Sequence, residues 1–468
     1  MFKFDLIVIG NGAIGTFIAS DLIMNNPKMK IAVIGSTLRP NSASAAAGAM
    51  INVFAEMEKP FSESMSRNYQ KYLNLGINGT LGWTQFLEKN KILEDVLTAK
   101  DTLVYLKDGA SDFETSNYNE MVRTAQEYEV YQDYSVSDFV RTLSTEHIPI
   151  QSVTKLKGEY SIDSNKLLFH LDNLLNENKV LLLNEKATSI TSGEKISVIT
   201  DRETYYTDKV VIAAGSETSN LLKDYALVPM LQGVGSAYHF KTTKSFFPKI
   251  FRNNVIRTVN RGGAQCGFHV LPKTAGFYLG AGNYITFPGE SSHRLETLRY
   301  LFQVLEVELI GRELSYELIG KLVKGHRPRS IDGIPMIGEI NNNPNIFIAT
   351  GTNRAGLTWA PCISKMISDW INGEINNNLD DSWKPDRSLV SFGNPQEAIT
   401  YFVESRIGAA IEHKLISNDS ESINQRKSEL KTLGEKFLAE TSVRFSQKDF
   451  VLHPDHWAPV LESKFQCY

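Results

Sequence analysis

Residues 4–15 read FDLIVIGNGAIG, and the fold turns on this stretch. Phe4 to Ile9 is short and almost continuously apolar, which suits a parallel strand buried on both faces. Gly10, Asn11, Gly12, Ala13, Ile14 and Gly15 then spell GxGxxG, and Thr16 to Met24 has helical spacing. The first glycine allows a tight turn, the second lets backbone approach a pyrophosphate, and the third lets helix pack on strand. Phosphates bound there sit on the helix N-terminus, whose free amides and dipole favour negative charge. GxGxxG alone is a weak signal. With a strand before it, a helix after it and a second strand at Ile31 to Ile34, it predicts a dinucleotide-binding βαβ unit.

The second strand departs from that pattern. Where an acid normally accepts hydrogen bonds from ribose hydroxyls, this chain has Gly35 and Ser36. Ser36, Thr37 or backbone groups can take over part of that work. The loss argues against a loosely held NAD and is tolerable for a cofactor with many other contacts. The next residues look like a source of them. Ser42, Ala43, Ser44, Ala45, Ala46, Ala47 and Gly48 are all small. Such a segment lets backbone come close to a flat or charged ligand and supplies N–H and hydroxyl donors. The same composition also suits the start of an Ala-rich helix.

With 468 residues the chain has room for two or more domains, each with its own core. Its 42% hydrophobic and 22% charged fractions are ordinary for a soluble globular protein. A net charge of -4 points to neither nucleic acid nor an anionic membrane as partner. Cys266, Cys362 and Cys467 lie far apart and form no CxxC pair, so neither a structural zinc nor a disulfide framework is implied. No apolar run reaches the roughly 18 residues of a membrane span. The first apolar run is already the first strand and not a separate signal peptide, so a cytoplasmic location is expected.

Further along, Phe61 to Leu106 reads as helical with mixed loops, and the polar stretch Asp108 to Thr124 as a loop or hairpin. An amphipathic run ends at Leu175, and a serine or asparagine cap from Ser164-Asn165 fits its start. Val180 to Leu183 reads as a strand. Lys195 to Thr200 and Thr204 to Ala213 alternate like a hairpin, whose end at Ala214 and Gly215 suggests backbone passing a cofactor. Leu227 to Phe287 is β-rich, and Leu295 to Glu308 is helical. Ile346 to Gly351 is another strand, followed by a glycine-rich turn through Thr358 and a helix through Trp370. That helix N-terminus can aim N–H donors at an electron-rich ring edge. Asn372 to Asn378 reads as a linker. Beyond it, charges at helical spacing, as in Ile423 to Leu438, point to packing against the body or a partner and not to catalysis.

Five segments in order over Phe4 to Gly373 carry a resemblance: GNGAIG, SASAAAGAM, VVIAAGSETSNLL, HRPRSIDGIPMIG and ATGTNRAGLTWAP. Together they resemble the D-amino-acid oxidase-like flavoproteins, and within them the glycine oxidase branch. The resemblance implies an α/β fold with a discontinuous Rossmann-like FAD-binding domain at 1–75, 155–225 and 325–373. It implies an inserted β-rich substrate domain at 76–154 and 226–324, and leaves a helical C-terminal extension at 379–468. Non-covalent FAD is the implied cofactor, since Cys362 lies inside the last helix of the resemblance. The implied flavin contacts are Gly10, Gly12, Ala13, Ile14 and Gly15 in the first turn and Ser36 beside the ribose. Ser42, Ser44, Ala45, Ala47 and Gly48 follow, then Ala187, Ala214 and Gly215. The last turn adds Gly351, Arg354, Ala355, Gly356, Leu357 and Thr358.

The implied reaction oxidises a C–N bond of an amine or amino acid by hydride transfer to flavin. The imine then hydrolyses, and the electrons pass to oxygen as peroxide. Alternatives are a dehydrogenase of the same fold with a quinone or protein acceptor, and a non-catalytic flavin-binding subunit of a complex. The extension offers a surface for a second copy or a protein partner. Arg327 stands where the family places the arginine that clamps the substrate carboxylate, and a guanidinium offers the matching planar fork. It also reads as a structural arginine before a proline. Arg354 stands where close relatives have a second arginine near substrate, or else forms a salt bridge at a helix start. His269 replaces a substrate-facing tyrosine, although a lone histidine is more often structural. This change, with the departure at Gly280 to Tyr284, leaves the substrate more open than the reaction.

Overall fold

β1 (Lys3–Ile9), α1 (Ala13–Asn25) and β2 (Ile31–Ile34) form the expected βαβ unit, with β1 and β2 parallel from Leu6–Ile31 to Ile9–Ile34. The computed structural model describes residues 3–143, 149–222, 225, 227–241, 248–260, 267–289, 292–311, 318–341, 343–374 and 381–463. Cys266, Cys467, linker residues 375–378, and 242–247 and 261–266 of the β-rich stretch lie outside them. α1 buries Phe17, Ile18, Ala19, Leu22 and Ile23, so both of its sides face protein. Gly15 makes that packing possible: a Cβ there would lie 1.9 Å from the Gly10 carbonyl oxygen.

The chain continues through α2 (Glu63–Lys89), β3 (Asp101–Lys107), α3 (Asp112–Glu127), β4 (Tyr131–Asp133) and β5 (Ile150–Leu156). Next come α4 (Ser164–Glu177), β6 (Leu181–Leu183), β7 (Ala187–Thr191), β8 (Ile196–Thr200) and β9 (Thr204–Ile212). β10 (Met230–Lys241), β11 (Asn254–Arg257), β12 (His269–Lys273), β13 (Gly276–Thr286) and α5 (Leu295–Val304) follow. β14 (Ile319–Ser330), β15 (Met336–Ile340), β16 (Asn343–Thr350) and α6 (Gly356–Ile371) complete the part before the extension.

Two large sheets result among the described residues. The first has the order β7-β8-β9-β1-β2-β6, with β16 parallel to β9 and β15 antiparallel to β16. The second has the order β14-β10-β13-β12-β11-β3-β5-β4. β14 spans the two parts: it pairs with β10 along its length, and the chain then turns into β15 of the first sheet.

Four readings are settled or change. Asp108 to Thr124 is not a loop or hairpin but holds most of α3, which Ser111 caps by accepting the Glu114 amide at 3.2 Å. Its polar composition hides a face of Phe113, Tyr118, Met121 and Ala125 that enters the core. The helical stretch from Phe61 stops short of Leu106, because Asp101–Lys107 is a strand buried between β11 and β5. α4 is capped by Asp163, which accepts the amides of Asn165 and Lys166, and not by serine or asparagine. The small-residue stretch Ser42 to Gly48 is a run of turns and not a helix, with Ser42 bridged to His326.

The extension holds α7 (Pro395–Glu412), α8 (Ser420–Ser442) and α9 (Trp457–Glu462). A capping box of Asn394 and Glu397 starts α7. Phe392, Tyr401, Phe402, Leu430 and Trp457 share one apolar core with Ile7, Ile212 and Ile348 of the first sheet. The extension is therefore built onto the body. Arg387 reinforces the join by a two-pronged pair with Asp332, at 2.8 and 3.1 Å, in which both side chains are buried.

Candidate active site

One long cavity of about 1240 Å³ opens at the C-terminal ends of β1 and β2 and reaches the second sheet and the extension. It exceeds the roughly 300–1,000 Å³ usual for drug-sized ligands. At its first end α1 begins at Gly12, which carries no capping side chain. Ser44 Oγ instead accepts the Ala13 amide at 2.9 Å, which ties the small-residue turns to the helix start.

The absent acid is explained by packing. A Cβ at Gly35 would lie 2.5 Å from Asn11 Oδ1, so the Asn11 side chain occupies the space beside the strand end. Its Nδ2 donates to the Ser36 carbonyl at 2.9 Å. Arg39, at a left-handed φ of 47°, donates from Nε to the Asn11 carbonyl at 2.9 Å. Its Nη2 donates to both Asp172 oxygens, at 2.6 and 2.8 Å. Sequence reading gave Asn11, Arg39 and Asp172 no role; the Gly35 substitution was their one visible trace.

Most of the residues read as flavin contacts do line this cavity, including Ser36, Ala187, Gly215 and Gly351. Gly15 and Ala45 do not. Gly15 serves the helix–strand contact, and the Ala45 amide is turned to Ser42 Oγ at 3.3 Å.

At the other end stands Arg327, on β14. Its Nη1 donates to Asn283 Oδ1 at 3.0 Å, and no carboxylate pairs with it among the described residues. A Cβ at Gly235 would lie 2.4 Å from that Nη1, and one at Gly233 would lie 2.6 Å from Asn283 Oδ1. These alternate glycines on β10 leave a bare strip on which guanidinium and amide lie. The QGVG spacing carried that signal, which sequence reading missed along with Asn283 as a partner.

The neighbouring cations are neutralised. Arg257 donates to Glu56 at 2.6 Å and to Asn260 at 2.9 Å. Arg354 pairs with Glu56 at 3.3 Å and Glu58 at 3.1 Å, so it lines the cavity within ion pairs rather than open to a substrate carboxylate. Burial opposes the Glu56 charge, but Arg257 and Arg354 overcome it and hold its carboxyl at about 2. Burial pushes Glu58 up, against the pull of Arg354. Glu159 fixes the Glu56 loop by accepting the amides of Val53, Phe54 and Ala55.

The Glu56 shift has a sign. Folding lowers its pKa, so the stabilisation is present above its unfolded value near 4.5 and is lost as pH falls toward 2. Up to ~3 kcal/mol is at stake. Stability measured by denaturant from pH 5 to 2.5 is expected to fall less steeply in Glu56→Gln than in the native chain; equal slopes would refute the assignment.

His269 is buried and stacks parallel to Tyr278 with centroids 5.8 Å apart, beneath Gly48 and Gly280. Burial, and after it Arg257, lower its pKa to about 3, so the imidazole is neutral. The extension also reaches the cavity: Phe392, Tyr401 and His453 line it. Its sequence had pointed away from the site, because these side chains lie far apart along a chain that otherwise reads as a charged helical surface.

The family model for FAD dependent oxidoreductase, DAO, matches residues 5–370. The glycine oxidase of Pseudomonas aeruginosa is 24% identical over 186 residues, which cover 39% of this chain and 47% of that protein. That of Pseudomonas putida is 27% identical over 175 residues, or 36% of this chain and 42% of that one. The chain thus spans under half the length of each of these curated relatives. Glycine oxidase from Geobacillus kaustophilus shares the fold at TM-score 0.68 and 16% identity, over 83% of this chain and all of that one. Iminodiacetate oxidase from Chelativorans shares it at TM-score 0.64 and 14% identity, over 81% of this chain and 98% of that one.

FAD fits what the cavity offers. The space is large enough for two joined nucleotide units, and the start of α1 at Gly12 and Ala13, where a pyrophosphate belongs, lines it without a capping side chain at Gly12. Asn353 Oδ1 and His326 Nε2 border it, buried and without a protein partner among the described residues, as polar groups awaiting a ligand do. A model match over most of the length, on a cavity of this size and chemistry, places the chain in the DAO family of FAD-dependent oxidoreductases.

Proposed function

We propose that the protein oxidises the C–N bond of an amine or amino acid that carries a carboxylate, with oxygen as the electron acceptor and peroxide as its product. The observation that carries this reading is Arg327: a guanidinium on the cavity wall whose partner is a neutral amide, beside two arginines already neutralised by Glu56 and Glu58. A carboxylate supplies the counter-charge that Arg327 lacks among the described residues and matches its fork.

Bound FAD supplies the hydride acceptor. In this reading 1–75, 155–225 and 325–373 hold it, and 76–154 and 226–324 shape the substrate side. Gly10, Gly12, Ala13 and Ile14 would hold the pyrophosphate. Ser36 and Ala187 would flank the adenosine. Ser42, Ser44, Ala47, Gly48, Ala214, Gly215 and Gly351 to Thr358 would border the ring. Arg327 holds the substrate carboxylate and so fixes the position of the adjacent carbon. Orientation of this kind, with water excluded, does most of what such a reaction needs. The substrate amine must be neutral, so that its lone pair forms the C=N bond as the carbon gives up its hydride. His269, being neutral, adds no charge and can accept a hydrogen bond at one ring nitrogen. The imine then hydrolyses to a keto acid or aldehyde and the released amine.

Purified protein is expected to be yellow and to release FAD, not FMN, on denaturation. Anaerobic screening of amines and amino acids should find compounds that bleach the visible band, and oxygen should restore it with peroxide. Protein that cannot be loaded with FAD, or loaded protein that no amine bleaches, would rule the proposal out. Bleaching that oxygen does not reverse would identify a dehydrogenase. Gly15→Ala should cut FAD content severely, because its Cβ meets backbone that cannot swing away; full FAD occupancy would show that α1 tolerates displacement.

A further inference from the structure

The part of the cavity built by the C-terminal extension has its own chemistry. Phe392, Tyr401 and His453 form a ring cluster with centroids 4.8 to 5.5 Å apart. Phe61 and Phe113 support Tyr401 from behind, at 5.9 and 6.0 Å. The cluster is anchored to the strand that carries Arg327. Arg329 donates from Nε to His456 Nε2 at 2.6 Å, and its Nη2 lies 3.2 Å from His453 Nε2. His456 in turn bonds the Ile331 carbonyl through Nδ1 at 2.7 Å. Both histidines are neutral, because burial first and Arg329 second hold their pKa values well below the usual range. The extension therefore presents an uncharged aromatic surface, whereas Arg327, Arg354, Glu56 and Glu58, which line the same cavity, are ionic or hydrogen-bonding.

The spacing follows from the strand. Arg327 and Arg329 are two residues apart on β14, so they share a face and stand roughly 7 Å apart. A molecule whose carboxylate meets Arg327 therefore lies in the same cavity as the ring cluster that Arg329 anchors.

Resting on the reading above that Arg327 takes a carboxylate, we propose that the extension is a specificity element: Phe392, Tyr401 and His453 select a substrate bearing a bulky apolar or aromatic group and disfavour one as small as glycine.

The test uses FAD-loaded protein and two unreactive probes, acetate and phenylacetate, with affinity read from the perturbed visible spectrum of the flavin. The native protein is expected to bind phenylacetate at least roughly tenfold more tightly than acetate. Tyr401→Leu and His453→Gln, checked for native FAD content and thermal midpoint, should bring that ratio toward one. If Tyr401→Leu fails to fold, Phe392→Leu provides the same comparison. A native ratio of one, or a native-sized ratio that persists in every folded variant, overturns the proposal. The carboxylate reading fails separately, when 2-phenylethylamine binds as tightly as phenylacetate and Arg327→Ala changes neither. Preference for the ring over no ring then still tests the aromatic surface.

Discussion

Arg327→Ala is expected to lower affinity for a carboxylate-bearing substrate by a factor of tens to thousands while the flavin spectrum stays close to native. The guanidinium lies on a strip of β10 cleared by Gly233 and Gly235, held by Asn283 alone among its described partners. Removing one member of a buried, charge-assisted pair typically costs 2–5 kcal/mol, which corresponds to about that range of affinity. Arg327→Lys should rescue only in part, because an ammonium keeps the charge but not the planar fork. Asn283→Ala should have a smaller effect in the same direction, since it loosens the guanidinium without removing it. Unchanged kcat/KM in Arg327→Ala for a carboxylate-bearing substrate would mean that the cavity recognises a plain amine, and His269 would be the next residue to vary.

The largest effect on stability is expected from Arg387→Ala. Arg387 and Asp332 are 4% and 0% exposed and meet through two hydrogen bonds. Arg387 also donates to the carbonyls of Ile334, Pro335 and Lys384. Truncation leaves the buried Asp332 without its cation, with the amides of Ile334 and Val390 as its remaining partners among the described residues. The usual cost of breaking such a pair is about 3–5 kcal/mol. Denaturant titration should show that loss, and the double variant Arg387→Leu with Asp332→Asn should recover part of it. A loss below about 1 kcal/mol would show that the join between extension and body does not depend on this pair.

Some parts of this molecule were legible from local pattern and some were not, for physical reasons. FDLIVIGNGAIG shows its structure because strand, turn and helix are all local and the glycines are demanded by close backbone approach. Gly35 was visible as an anomaly, but its cause was not: Asn11, 24 residues earlier, fills the space, and Arg39 and Asp172 lock it. α3 was misread because its core face is spread among polar residues and its cap is a single serine. The site end was legible in residue type at Arg327. It was not legible in partners, since Asn283, Gly235 and Glu56 come from three separate elements. The extension was the least legible of all. Phe392, Tyr401 and His453 join the cavity only through the packing of α7 and the turn before α9 onto the first sheet and β14.

The central claim is that a carboxylate held by Arg327 places a C–N bond for oxidation by bound FAD. It is tested most directly by mixing FAD-loaded protein, without oxygen, with an amino acid found to reduce it and with the amine left when that amino acid loses its carboxylate. The loss of visible absorbance is then timed for each. The amino acid is expected to bleach the flavin tens of times faster than the amine at equal low concentration, and Arg327→Ala should erase the difference. Equal rates for the two in the native protein would contradict the claim.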